Sequence, residues 1–187
     1  MRYFLLLCLL LIKYQNCYSQ NLDDFYFTDS IDFENECVRA IPEPILDTLI
    51  FPNSEFMLIN YVGFEKVNLK NGDTLIIRNC GCETYSLVFR FEIGRDDTRI
   101  DNYDRWYRVL VKQLSMIENA VKSPINIEEA KFTLINYIDN YNNQPLKIGE
   151  IISIEDGTIP EMMRFDKVLP LDNDRVGLEL SVWIGPL

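Results

Sequence analysis

Cys37, Cys80 and Cys82 are the side chains of this sequence whose type and spacing most readily suggest chemistry. Cys80-Gly81-Cys82 is a close thiol pair. A disulfide within it closes a small strained ring and is easily reduced, which would make a redox dithiol. Thiolates also hold zinc, but three of them with no histidine and no fourth thiolate form a poor ligand set. The third chemistry is structural: Cys37 bridges to Cys80 or to Cys82 and staples the N-terminal segment to the body. In an extended Cys-Gly-Cys both side chains point to one face, so either one reaches Cys37. A bridge closing roughly forty residues contributes about 3–4 kcal/mol in the chain-entropy account. The staple is the expectation, with inert thiols as the remaining case, and no metal site is expected.

Carboxylates come next. Acidic doublets stand at Asp23-Asp24, Asp96-Asp97 and Glu128-Glu129, and Asp172 is two residues from Asp174. Two carboxylates flanking a glycosidic bond suffice for glycoside hydrolysis without histidine, provided the fold sets their separation. Asp172-Asn173-Asp174 has the look of a calcium-loop fragment, yet the rest of the twelve-residue ligand pattern is missing and an Asx-rich hairpin turn accounts for it. Asp96-Asp97 precedes a helix, where negative charge suits the helix dipole. Each doublet therefore reads first as a turn or a solvated surface. Trp183 is the aromatic residue out of pattern. It shares a strand face with Gly177, Glu179 and Ser181, opposite the apolar set. Facing solvent, it would be a large side chain of the kind enriched at binding hot spots; the other reading is that helices or a second sheet layer cover that face. Trp183, Glu179, Asp172 and Asp174 are accordingly the candidate partner-binding residues.

Histidine is absent from the chain. A Ser-His-Asp triad, a Cys-His pair, a histidine base and a histidine-bearing zinc site are thereby excluded on this chain alone. No nucleophile elbow, P-loop, dinucleotide fingerprint or zinc-protease motif occurs, and no cofactor is expected.

The first nineteen residues have the order of a secretory signal peptide. Arg2 gives a basic start, residues 4–12 form an apolar run, and Cys17-Tyr18-Ser19 offers small residues at the cleavage positions before Gln20. The apolar run is shorter than the ~20 residues of a membrane-spanning helix. Cys17 as a lipid-modified residue fits less well, because Tyr14 and Asn16 stand where other residue types belong. The expected product is soluble and periplasmic or secreted, with no membrane insertion. Cys8 and Cys17 leave with the leader. So do Arg2 and Lys13, which takes the formal charge from -11 to near -13 (-11 minus two cations). Such a balance argues against nucleic acid and anionic lipid and allows a basic protein as partner, solubility alone being the plainer reading.

Elements must position these residues. Residues 20–187 read as one domain, with 20–44 an acidic, aromatic arm, and the 48% apolar content is ample for a core. Residues 56–61 form a short apolar run. Asn71-Gly72-Asp73 marks a turn before a strand at 74–78. In 85–93, Tyr85, Leu87, Phe89, Phe91 and Ile93 share one face and Ser86, Arg90 and Glu92 the other, with Val88 the exception. Apolar residues at three- and four-residue steps predict a helix over 103–121 and another after an N-cap at Asn126, with Glu129 completing a capping box. Strands follow at 147–154, 162–169 and 176–184, with turns at Asp156-Gly157 and over 170–174. The fold class is α+β, a mainly antiparallel sheet with a helix pair on one face, in the order strands, two helices, strands.

The functional expectation is an exported acidic protein-binding module, an inhibitor or immunity-type partner of a cationic envelope or toxin enzyme. The alternatives are a carboxylate-based enzyme acting on a glycan, a redox role for Cys80 and Cys82, and a structural envelope component.

Overall fold

The computed structural model describes residues 41–80, 85–95, 97–141, 145–155 and 159–185. They belong to one compact unit, Ile31–Leu187. The leader, most of the 20–44 arm, Cys37, Cys82 and the Asp156-Gly157 turn lie outside the described residues, as does the separate unit Met1–Ser30.

Two antiparallel meanders build a single sheet. The first comprises β1 (Glu55–Ile59), β2 (Val62–Asn68), β3 (Thr74–Cys80) and β4 (Tyr85–Gly94). The chain then forms α1 (Tyr103–Ile117) and α2 (Ile127–Asn140) and returns as β5 (Ile151–Glu155), β6 (Glu161–Leu171) and β7 (Arg175–Ile184). The strand order is β1-β2-β3-β4-β7-β6-β5, with every pair antiparallel. The helical excursion carries the chain to the far edge, so β7, the last strand, closes against β4. Among the described residues, no helix is long and apolar enough to cross a membrane.

Turn chemistry fixes the hairpins. Asn60 and Tyr61 both have positive φ (48° and 60°) between the paired Ile59 and Val62. That is a two-residue type I′ connection, whose twist matches the strands it joins. Gly72, at φ 85°, turns the chain between β2 and β3, as the Asn71-Gly72-Asp73 signal anticipated. Asn173 (φ 59°) and Asp174 (φ 53°) turn β6 into β7.

Directly opposed residues share a sheet face, so the register identifies the core. Leu87, Phe89, Phe91 and Ile93 of β4 face Val182, Leu180, Leu178 and Val176 of β7. All are buried in one cluster with Trp106, Tyr107, Leu110, Leu114 and Ile117 of α1 and Ala130, Leu134 and Ile138 of α2. The α+β expectation therefore holds, helix pair included. Asn126 caps α2 by accepting from Glu129 N at 3.1 Å. Asn102 caps α1 in the same way, from Arg105 N at 3.3 Å. Helix α1 stops at Ile117 rather than at residue 121, because the segment beyond it pairs elsewhere. Ala120 O accepts from Asp47 N, and Lys122 N donates to Ile45 O, both at 2.7 Å.

The opposite sheet face is buried too. Phe64, Ile76, Val88, Arg90 and Trp183 lie on it, all well shielded from solvent. Val88, the exception to the alternation in β4, is thus the residue that betrays this second buried layer.

Candidate functional site

The exposed apolar surface gathers where the described chain begins. Residues 45–47 are held by three independent devices. Ile45 N and Leu46 N (2.9 Å) donate to the carboxylate of Glu65, which stands on the helix-facing side of β2. The pairing with 120–122 holds the other edge, and Lys122 Nζ meets Asp47 Oδ2 at 2.9 Å. Burial raises the pKa of Glu65 above its ordinary value, and the two N–H donors work against that shift. The Asp47 carboxyl lies below its usual range, chiefly through Lys122 and then through the N–H of Leu49.

From this clamp the chain makes a tight turn. Asp47 O accepts from Ile50 N (3.0 Å) and Phe51 N (2.8 Å), while Asp47 Oδ1 accepts from Leu49 N (2.9 Å). Phe51 is driven into the core, and Leu49 is turned outward, 90% exposed. Edge strand β1 follows. Its Met57 and Leu58 are adjacent and point to opposite faces, yet they are 47% and 45% exposed. Ile41 and Ile50 are exposed as well. Five of the eight large apolar side chains exposed among the described residues thus fall within 41–58. Isolated exposed apolar residues are ordinary, but a group of them in one short segment points to a contact surface.

The residues singled out from sequence do not form one surface. Trp183 is 2% exposed, opposite Ser86 and Met162, and its Nε1 has no hydrogen-bond partner. Its sheet face is buried, so the covered reading of Trp183 holds and the solvent-facing one does not. Glu179 is buried on the same face, between Arg90 (3.7 Å) and Lys167 (3.5 Å), with Arg90 also 3.4 Å from Glu92. Asp172 and Asp174 are exposed in the β6–β7 turn, and Asp174 O accepts from Arg95 N at 2.7 Å. Nine residues of extended chain separate Asp174 from Trp183, about 30 Å at strand rise. Among the described residues, no Cys, Asp and Glu side chains gather in a metal-binding group.

Of the three cysteines in the staple expectation, Cys80 alone is described. Its thiol is free, half-buried, 3.2 Å from Ser86 Oγ. Strand pairing explains the placement: Cys80 lies opposite Ser86 in the β3–β4 ladder, on the same side as Trp183. Cys37 and Cys82 are outside the described residues.

Two further clusters carry polar chemistry. Glu150 accepts from Tyr137 OH (2.5 Å) and Tyr141 OH (3.1 Å), and the ring of Tyr107 packs on that of Tyr137, centroids 5.6 Å apart. Hydrogen bonding, first from Tyr137, lowers the Glu150 pKa. Burial raises those of Tyr107 and Tyr137, with Glu150 adding to the shift at Tyr137. Ionised Glu150 and protonated Tyr137 are thereby fixed in their roles, which suits a structural clamp and not proton transfer near neutrality. A cavity of about 260 Å³ lies between α1 and the ends of β3 and β4, with Arg105, Arg108 and Lys112 on its helical wall. Its single carboxylate, Asp73, accepts from Gln113 Nε2 at 2.7 Å. The carboxylate pair that glycoside hydrolysis requires is not assembled there.

Compared with protein-family models, curated proteins and solved structures, the chain matches none.

Proposed function

We propose that this is an exported, acidic protein-binding domain that engages a basic polypeptide through the surface formed by residues 41–59. The observation that carries the reading is the concentration of exposed apolar side chains there, with Leu49, Met57 and Leu58 foremost. Burying a side chain of this size contributes about 1.5–3 kcal/mol, so a few of them suffice for a specific contact. The formal charge of -11 supplies the choice of partner: a basic chain is drawn in and an acidic one repelled. An inhibitor or immunity-type role toward a cationic secreted enzyme fits this chemistry, and the leader-like N-terminus fits its location.

A random-peptide library displayed on phage and selected on the purified chain tests the reading. The expected result is enrichment of basic peptides whose capture is lost in Leu49→Ser and Met57→Ser variants. Enriched peptides without a positive bias, or indifferent to both substitutions, would contradict it.

A further inference from the structure

The two edges of the sheet are built differently. Exposed edges present unpaired N–H and C=O groups, and proteins ordinarily blunt them with lysine, proline, bulges or covering segments. At one edge β5 is interrupted by a register shift between Ser153 and Glu155. At the other, β1 pairs with β2 in unbroken register over all five residues. Its sequence, Glu55-Phe56-Met57-Leu58-Ile59, contains neither lysine nor proline. Four of these five residues are apolar and two of them are well exposed on opposite faces. Side chains exposed on both faces of an unblunted edge are a poor arrangement for a strand meant to remain outermost.

The hairpin geometry says which backbone groups are open. A two-residue type I′ turn closes on a hydrogen-bonded pair, here Ile59 and Val62. Hydrogen-bonded pairs alternate along an antiparallel ladder, so Met57 and Glu55 also bond inward, to Phe64 and Lys66. Phe56 and Leu58 therefore direct their N–H and C=O groups outward. No described residue pairs with that outer edge. Four alternating donors and acceptors at strand spacing are matched by one kind of ligand, another extended chain.

We infer that β1 receives an extended, basic segment of the partner polypeptide as an eighth strand, hydrogen-bonded to Phe56 and Leu58. This rests on the binding function proposed above and specifies its mode. The incoming strand alternates, placing apolar side chains beside Leu58 or beside Met57 and small polar ones on the other face. Its flanking residues are basic, because Glu55 is exposed on this edge strand and the chain as a whole carries -11. Charge also selects against the obvious competitor. A second copy of β1 can pair with the first about Met57, but it brings the same negative charge with it.

The test uses the full chain and a synthetic peptide, Lys-Lys-Thr-Val-Thr-Val-Thr-Lys-Lys, with binding followed by calorimetry. Three changes separate backbone from side chain. Leu58→Pro removes an outward N–H and no ladder bond, Leu58→Ala keeps the N–H and trims the side chain, and N-methylation at the two valines blocks one edge of the peptide. Strand addition predicts that Leu58→Pro and the methylated peptide each weaken binding at least about tenfold, with Leu58→Ala costing distinctly less. If the peptide binds and neither backbone change matters, strand addition is overturned while the binding function stands. If no basic peptide binds, both fall. Self-association of the chain alone, abolished by Leu58→Pro, would assign the edge to a second copy and overturn the inference.

Discussion

Glu65 shows how far a residue's role depends on what faces it. It sits opposite Ile77 on the helix-facing side of β2, where an apolar residue is the ordinary choice, and it receives the backbone of Ile45 and Leu46. A buried carboxylate is costly unless hydrogen-bonded, and these two donors are what make it tolerable. Glu150 plays the converse part near the surface, holding Tyr137 and Tyr141. Replacing it with glutamine removes the charged acceptor. The expected loss is about 1 kcal/mol, less than for a buried bond to a charge because the group is partly solvated. The sign of the pH effect follows from a lowered folded pKa. The ionised group stabilises the fold above its unfolded value, near 4.3, and that contribution is lost as pH falls through the folded value. Urea unfolding of wild type and Glu150→Gln should therefore diverge at pH 7 and converge in acid. At this scale the sequence was least informative. Trp183 and Glu179 were correctly placed on one strand face, but nothing in a single strand's alternation tells whether the face is buried.

Elements were more legible, wherever periodicity was unbroken. The stripes of α1 and α2 and the alternation of β4 and β7 appear in the structure nearly as read. Strand β2 was missed for a physical reason. Val62-Gly63-Phe64-Glu65-Lys66-Val67 has apolar residues on both faces and a buried carboxylate on the core face, so period-2 patterning is lost. Asn60-Tyr61 also lacks the glycine that ordinarily advertises a type I′ turn. The consecutive apolar residues 56–59 were the available signal for the proposed binding edge. An alternating strand buries one face, whereas four apolar residues in a row ask for contacts on both. Capping was read correctly at Asn126, which yields a local prediction. Asn126→Ala should cost about 1 kcal/mol, seen as a lower unfolding midpoint with unchanged m-value. No change would mean that the packing of Ile127 and Ala130 alone fixes the start of α2.

At the scale of the whole molecule, strand order was beyond reach of the sequence. Pairing β7 with β4 depends on the helical excursion depositing β5 at the far edge, a long-range choice that no local pattern encodes. That topology nonetheless decides the function proposed here, because it leaves β1 as an outermost strand. It also puts β4 and β7, the two ten-residue strands, at the centre. Long central strands and an edge that no described residue covers are what a strand-adding domain requires. Amide hydrogen exchange of the full chain with and without the basic peptide tests this most directly. Glu55, Met57 and Ile59 should be protected in both states through their bonds to β2. Phe56 and Leu58 should gain protection only with peptide present. Protection gained elsewhere, with Phe56 and Leu58 unchanged, would contradict the account.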